Sequence, residues 1–107
     1  MQRTTLRSLI AAAAILACLG GASAQAQELQ VTIDNFTFSP AELKVKVGDT
    51  VTWTNHDDIP HTTVSAGKFR SKTMDTDDKF SFTFTSAGDY KYFCSLHPHM
   101  TGMIKVE

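Results

Sequence analysis

The sequence lacks the surplus of positive charge that binding to nucleic acid requires. Its 107 residues include 10 Lys and Arg against 11 Asp and Glu, which leaves a net charge of −1. A nucleic-acid-binding domain instead carries a basic face, so we set that class of function aside. The acidic residues gather in two short groups, Asp57-Asp58 and residues 75–78, which we expect to be solvated loops; the alternative is a surface that attracts a basic partner.

The sequence also lacks an apolar run long enough to span a bilayer, which takes about 20 residues. The longest run, residues 9–17, follows Arg3 and Arg7 and precedes two Ala-x-Ala sites in residues 22–26. That order is typical of a secretory signal peptide, and the absence of an adjacent arginine pair favours the Sec type. We predict a cleavable signal over residues 1–26 and one small domain over 27–107. Loss of Arg3 and Arg7 would bring the net charge to about −3.

The predicted mature chain has no cysteine pair, because Cys18 falls within the signal and Cys94 remains alone. Residues 15–18 weakly resemble a lipoprotein cleavage box, but the Ala-x-Ala sites fit cleavage better. An unpaired cysteine in an exported protein is either a buried inert thiol or a group with a chemical role. The residues around Cys94 favour the chemical role.

Apolar and polar residues alternate through most of the chain beyond residue 26, as in half-buried β-strands. Turn residues separate the alternating runs, which indicates an all-β sandwich or barrel. The apolar positions are Leu29-Val31-Ile33, Leu43-Val45-Val47, Val51-Trp53, Phe80-Phe82-Phe84 and Tyr90-Tyr92-Cys94, and Met103-Ile104-Lys105-Val106 forms the last run. The predicted turns are Ser39-Pro40, Gly48-Asp49, residues 55–58, Ala66-Gly67, residues 86–89 and Thr101-Gly102.

Some side chains in this pattern have predicted structural roles. We expect Trp53 and the three alternating phenylalanines to form the core, because aromatic residues bury large apolar areas. Residues 69–78 are irregular and are predicted to form a loop, with or without a short strand or turn, in which Met74 is only partly buried. Met103 is predicted to be a core residue rather than a metal ligand.

The order Cys94-x-x-His97-x-x-Met100 predicts a site for a soft metal ion. Thiolate and thioether groups select Cu(I) or zinc, and imidazole suits both metals. Two His, one Cys and a distant Met form the ligand set of a blue-copper electron-transfer centre. The missing second imidazole must come from elsewhere in the chain, and His61 is our candidate.

Other uses of these residues remain open at this stage. A copper-binding or copper-delivery protein could use the same four ligands without cycling electrons. A Cys94–His97 nucleophilic pair would indicate an enzyme, although two residues three apart on a loop are poorly placed for one. A structural zinc site is a third alternative, but structural zinc sites rarely include methionine as a ligand. We therefore expect a protein that is not an enzyme.

The sequence resembles the cupredoxins in three segments: residues 48–55, Pro60-His61, and the segment from Gly88 through Cys94, His97-Pro98 and Met100. Within that family the short loop from Cys to Met is similar to that of the amicyanins. The resemblance implies a Greek-key β-sandwich of about seven or eight strands. It also implies one type 1 copper ion held by His61, Cys94, His97 and Met100.

The same resemblance implies a soluble monomer that transfers electrons in the bacterial periplasm. Its expected partners are redox proteins, a c-type cytochrome or a periplasmic dehydrogenase. From the charge balance no nucleic-acid partner is expected, and no segment is expected to span a membrane.

The sequence departs from amicyanins beside the predicted ligands. Thr62 follows Pro60-His61 where Asn is usual, and we expect Thr62 and Ser95 to link the two ligand segments more weakly. Leu96 stands where Pro is usual, so its backbone N–H is predicted to be available to the Cys94 sulfur. His99 replaces an apolar aromatic residue.

The remaining candidates lie near the ligand loop or in turns. We expect His56 to be a solvated turn residue. His99 is predicted either to contact a partner or simply to be exposed. Phe93 faces away from Tyr92 on its strand, where it either packs or lies on a remote route for electron entry.

Overall fold

The computed structural model describes residues 25–107, and these residues form nine β-strands in two sheets. The strands are β1 (Glu28–Asp34), β2 (Thr37–Ser39), β3 (Glu42–Val45), β4 (Thr50–Asn55), β5 (Val64–Ser65), β6 (Phe69–Arg70), β7 (Lys79–Thr83), β8 (Gly88–Phe93) and β9 (Thr101–Val106). The all-β prediction is confirmed. The nine strands exceed the expected seven or eight because β5 and β6, two short strands of two residues each, are counted separately. Of the predicted signal peptide, residues 1–26, all but the last two residues lie outside the described residues.

One sheet has the strand order β2-β1-β4-β7 and the other β3-β9-β8-β5-β6. Strand β1 pairs in parallel with β4, so that Val31 lies beside Trp53, and β4 pairs antiparallel with β7. In the second sheet Tyr90 lies beside Ile104, where β8 and β9 run antiparallel. Because side chains alternate between the faces of a strand, these registers place most of the predicted apolar positions on the two facing surfaces. Within residues 25–107 there is no helix long and apolar enough to cross a membrane.

The core centres on Trp53, whose side chain is fully buried. Its ring centroid lies 5.4 Å from those of Phe69 and Tyr92 and 5.7 Å from that of Phe80. The predicted core role of Trp53 and the phenylalanines is confirmed: Phe84 is fully buried, while Phe80 and Phe82 are partly buried and pack against the core. Aromatic rings supply much of the apolar area that so small a domain can bury.

Two predictions about the last strand are wrong. Met103 is paired with Lys91 and so faces outward, and it is only partly buried. Thr101 and Gly102 open β9 instead of forming a turn. A Cβ atom at Gly102 would lie 2.3 Å from the ring of Tyr92, so glycine is present to admit that ring. A glycine in this sequence context indicates a turn. In the structure, glycine is required at position 102 because the Tyr92 side chain of the neighbouring strand packs against it.

Two further expectations need correction. Met74, expected to be partly buried, is 2 % exposed and belongs to the core. Val47, counted as part of the third alternating run, lies beyond the end of β3 and is 49 % exposed.

Replacing Gly102 by Ala is expected to lower the free energy of unfolding by about 1–3 kcal/mol, the usual cost of overpacking a filled site. The new methyl group would overlap the Tyr92 ring, which has the Trp53 ring against it. Chemical denaturation measures the effect. Thr101→Ala, at an exposed neighbour in the same strand, is the control and should change stability by less than about 0.5 kcal/mol. Equal stability of the two variants would contradict the packing explanation.

Candidate metal centre

Three of the predicted ligands meet at one end of the sandwich. The Nδ1 atoms of His61 and His97 each lie 3.7 Å from the Sγ atom of Cys94. One ligand atom from each residue lies within 4.8 Å of the other two. His61 and Cys94 are fully buried, and His97 is partly exposed. The structure thus brings two nitrogen donors and one sulfur donor to a shared point from segments more than 30 residues apart.

The loop after β8 holds its donors through its own backbone. The Cys94 N–H donates to the Met100 carbonyl at 3.1 Å, and the Met100 N–H donates to the His97 carbonyl at 2.9 Å. The His97 N–H donates to the Cys94 carbonyl at 3.2 Å. The side chain of Met100 is buried, with 3 % of the residue exposed. The spacing Cys-x-x-His-x-x-Met therefore closes a compact loop.

Thr62 joins the two ligand segments. Its N–H donates to the Cys94 sulfur at 3.3 Å, and its hydroxyl oxygen accepts a 2.7 Å hydrogen bond from the Ser95 N–H. The two hydroxyl oxygens of Thr62 and Ser95 also lie 2.7 Å apart. The expected Thr62–Ser95 link is thus present. Among the hydrogen bonds of residues 25–107, none runs from the Leu96 N–H to the sulfur.

Asp57 corrects a prediction, since it is 8 % exposed and not part of a solvated loop. One carboxylate oxygen lies 2.7 Å from Nε2 of His61, on the side of the ring opposite the donor nitrogen. The carboxylate also accepts hydrogen bonds from the N–H groups of Asn35 at 2.6 Å and Phe36 at 3.0 Å. A carboxylate on the outer nitrogen of a metal-ligating His fixes the tautomer and the ring orientation.

The backbone of His61 is held separately from its ring. His61 and Met74 exchange two backbone hydrogen bonds, of 3.1 and 2.8 Å. The buried side-chain amide of Asn55 donates to the carbonyls of Met74 and Ile59, both at 2.9 Å. His61 is therefore fixed by the backbone on one side and by Asp57 on the other.

Phe36 contacts both imidazoles, a role that is not among the predictions made from the sequence. Its ring centroid is 5.0 Å from that of His97 and 5.6 Å from that of His61, with interplanar angles of 88° and 85°. The available signal was the pair Asn35-Phe36 between two alternating runs, since Asn commonly opens a hairpin turn. Asp57 offered a weaker signal, an acidic residue four positions before a predicted ligand.

Two imidazoles, a thiolate and a nearby buried thioether match the donor set of a type 1 copper site. The model of the cupredoxin-like domain matches residues 7–106. The chain is 33 % identical to the amicyanin of Paracoccus denitrificans, with 100 % of this chain and 99 % of the relative covered. The chain belongs to the cupredoxin-like family.

Solved cupredoxin structures agree with this assignment. A purple cupredoxin from Nitrosopumilus maritimus superposes with a TM-score of 0.71 and 36 % identity, covering 74 % of this chain and 99 % of the other. A Cu(I) form of an amicyanin variant has a TM-score of 0.72 and 36 % identity, covering 75 % and 82 %. Within the cupredoxins, the chain is thus similar to amicyanin in both sequence and fold.

The cupredoxin site favours the charged form of its thiol. Burial raises the pKa of Cys94, but the Thr62 N–H and the rings of His61 and His97 outweigh it and lower the value to about 6. At Asp57, burial likewise raises the pKa, whereas donation from Phe36, His61 and Asn35 lowers it to about 2. Since metal ligation requires a thiolate, the copper-free site at neutral pH is already largely in the binding form.

The other two histidines, His56 and His99, are not part of this donor group. His56 is exposed, as predicted, with its Nδ1 atom 3.9 Å from a carboxylate oxygen of Asp77. His99 is exposed within the ligand loop. Phe93 is partly buried and, with Lys91 and Met103, lines a groove on the outer face of the second sheet.

Proposed function

We propose that this cupredoxin binds one copper ion through His61, Cys94, His97 and Met100 and acts as a one-electron carrier. The observation that carries the proposal is the convergence of the three nitrogen and sulfur donor atoms within 4.8 Å of one another. A bound copper ion supplies a one-electron change between Cu(I) and Cu(II). We infer no catalytic reaction and therefore no enzyme activity.

The residues around the donors support rapid electron transfer by limiting movement. His61 is held by Asp57 and by its backbone pairing with Met74. Cys94 follows directly after β8 and receives the Thr62 N–H. A site whose ligands keep their positions in both oxidation states needs little rearrangement when an electron enters or leaves.

His97 is our candidate for the point where electrons enter and leave. It is the partly exposed member of the donor group, and Leu96 beside it is 48 % exposed. Residues 95–102 contain no Lys, Arg, Asp or Glu. A redox partner with a matching apolar surface could therefore approach the outer edge of this imidazole.

We further infer that the partners are a c-type cytochrome or a periplasmic dehydrogenase, and that the chain works in the periplasm as a monomer. The predicted signal over residues 1–26 and the similarity to amicyanin support the location. The domain proper would then be residues 27–107.

Titration of the purified protein with Cu(II) is expected to saturate at one equivalent and to produce an intense blue thiolate absorption. Voltammetry of the loaded protein should show a reversible one-electron wave. Cys94→Ser and His97→Ala should abolish the blue band, because each removes a donor. His99→Ala is the matched control, since it removes an exposed imidazole two residues away and should leave the band intact.

A colourless Cu(II) form of the native protein would contradict the proposal. If the blue band forms but no reversible wave appears, the protein is instead a copper-binding or copper-delivery protein that does not shuttle electrons.

A further inference from the structure

The turn between β1 and β2 has an unusual residue at its second position. Asn35 and Phe36 form a two-residue loop, with Asp34 and Thr37 paired across its base. Both loop residues have positive φ, 50° and 58°. A hairpin loop of this kind prefers Asn followed by Gly, since glycine has no Cβ to resist positive φ. A bulky side chain in this conformation is an outlier, so the turn geometry alone does not account for Phe36.

Burial does not account for it either, because Phe36 is 45 % exposed and lies outside the core. What the residue contacts instead is the metal centre. Its ring is nearly perpendicular to the rings of His97 and His61, and the two imidazole centroids are themselves 5.0 Å apart. The three rings form one cluster at the surface end of the site.

The backbone of the turn is tied to the same site. The Phe36 N–H donates to the carboxylate oxygen of Asp57 that lies against Nε2 of His61, and the Asn35 N–H donates to the other oxygen. Asp57 therefore holds the strained turn and a ligand ring together. Backbone strain of this kind persists when surrounding contacts determine the conformation, and it is concentrated at functional sites.

The two imidazoles differ in how firmly they are otherwise held. The His61 ring has Asp57 on its outer nitrogen. Among residues 25–107, the His97 ring makes one polar contact, to the Cys94 sulfur. The perpendicular ring of Phe36, 5.0 Å away between centroids, is thus a main restraint on the orientation of His97.

We propose that Phe36 is a positioning residue that orients His97, and secondarily His61, towards the Cys94 sulfur. This inference rests on the proposed copper site. The ring restricts rotation of the His97 side chain before the metal arrives and slows its departure afterwards. The fold accepts an unfavourable turn residue in return for a preformed site.

The test compares Phe36→Gly, Phe36→Leu and a control, Val47→Ala. Glycine removes the ring and suits a φ of 58°, whereas leucine keeps apolar bulk without an aromatic ring. Val47 has a similar exposed fraction, 49 %, but it follows the end of β3 and is not part of the ligand loop. The measurements are NMR of the imidazoles in copper-free protein, thermal unfolding of the same samples, and the rate at which EDTA removes Cu(II).

For Phe36→Gly we expect averaged His97 ring signals, removal of Cu(II) about tenfold faster, and an unfolding midpoint no lower than that of the native chain. Phe36→Leu should fall between native and glycine variants in removal rate, and Val47→Ala should match the native chain. Ordered His97 signals with an unchanged removal rate in Phe36→Gly would overturn the proposal. So would a lower unfolding midpoint for Phe36→Gly, since that would assign the ring to fold stability.

The copper-free measurements separate this inference from the proposed function. If native protein forms the blue centre while Phe36→Gly leaves His97 ordered, only the role of Phe36 is wrong. If native protein fails to form the blue centre, the proposed function is wrong whatever the imidazole signals show.

Discussion

Replacing Asp57 by Ala is expected to lower the free energy of unfolding of the copper-free protein by about 2–4 kcal/mol, because it removes the charged acceptor that three donors share, one of which, the His61 ring, is fully buried. Three groups lose their partner: the N–H of Asn35, the N–H of Phe36 and Nε2 of His61. The same change should weaken copper binding about 10–100-fold, the usual effect of removing a group that orients a ligand.

Denaturant unfolding and competitive copper titration measure the two effects. Asp58→Ala is the matched control, since Asp58 is the exposed neighbour with the same side chain, and its stability should change by less than about 0.5 kcal/mol. Asp57→Asn keeps an acceptor oxygen but removes the charge, and should lie between the two. If Asp57→Ala and Asp58→Ala behave alike in both measurements, Asp57 does not hold the site.

Copper affinity is expected to be nearly independent of thiol protonation above pH 6 and to fall at least about tenfold per pH unit below it. The folded-state pKa of Cys94 is lowered to about 6 from an ordinary value of 9.0. Protons therefore compete with copper for the sulfur only below about pH 6. For the same reason, the thiolate stabilises the copper-free fold fully above pH 9.0, and this contribution is lost as the pH falls to about 6.

Ultraviolet absorption of the thiolate in copper-free protein reports this ionisation directly. The absorbance should rise with a midpoint near pH 6. Cys94→Ser, which has no thiol, gives the background curve. A midpoint near the ordinary value of 9.0 would show that Thr62 and the two imidazoles do not stabilise the thiolate.

Much of this protein can be predicted from short-range patterns. The alternation of apolar residues predicts the strands because the side-chain period of a strand is a local property of the backbone. The loop from Cys94 to Met100 is equally local, since its three backbone–backbone hydrogen bonds join residues within the loop. Three of the four proposed ligands could therefore be recognised from their spacing along the chain.

The fourth proposed ligand, His61, was chosen because the donor set required another imidazole. That its Nδ1 atom lies 3.7 Å from the Cys94 sulfur follows from the pairing of Val64 with Phe93 between β5 and β8. Such a contact joins residues far apart in sequence, so local periodicity does not determine it.

The roles of the residues around the ligands are decided by the tertiary structure. In the sequence, only weak local signals separate Asp57 from its exposed neighbour Asp58 and set Phe36 apart from other apolar residues. Asp57 receives its two backbone hydrogen bonds from a turn 21 and 22 residues earlier. Parallel pairing of β1 with β4 brings that turn to the end of the sandwich where His61 lies. Short-range periodicity thus specified the strands and the ligand loop, whereas long-range strand pairing decided which polar and aromatic side chains hold the metal centre in place.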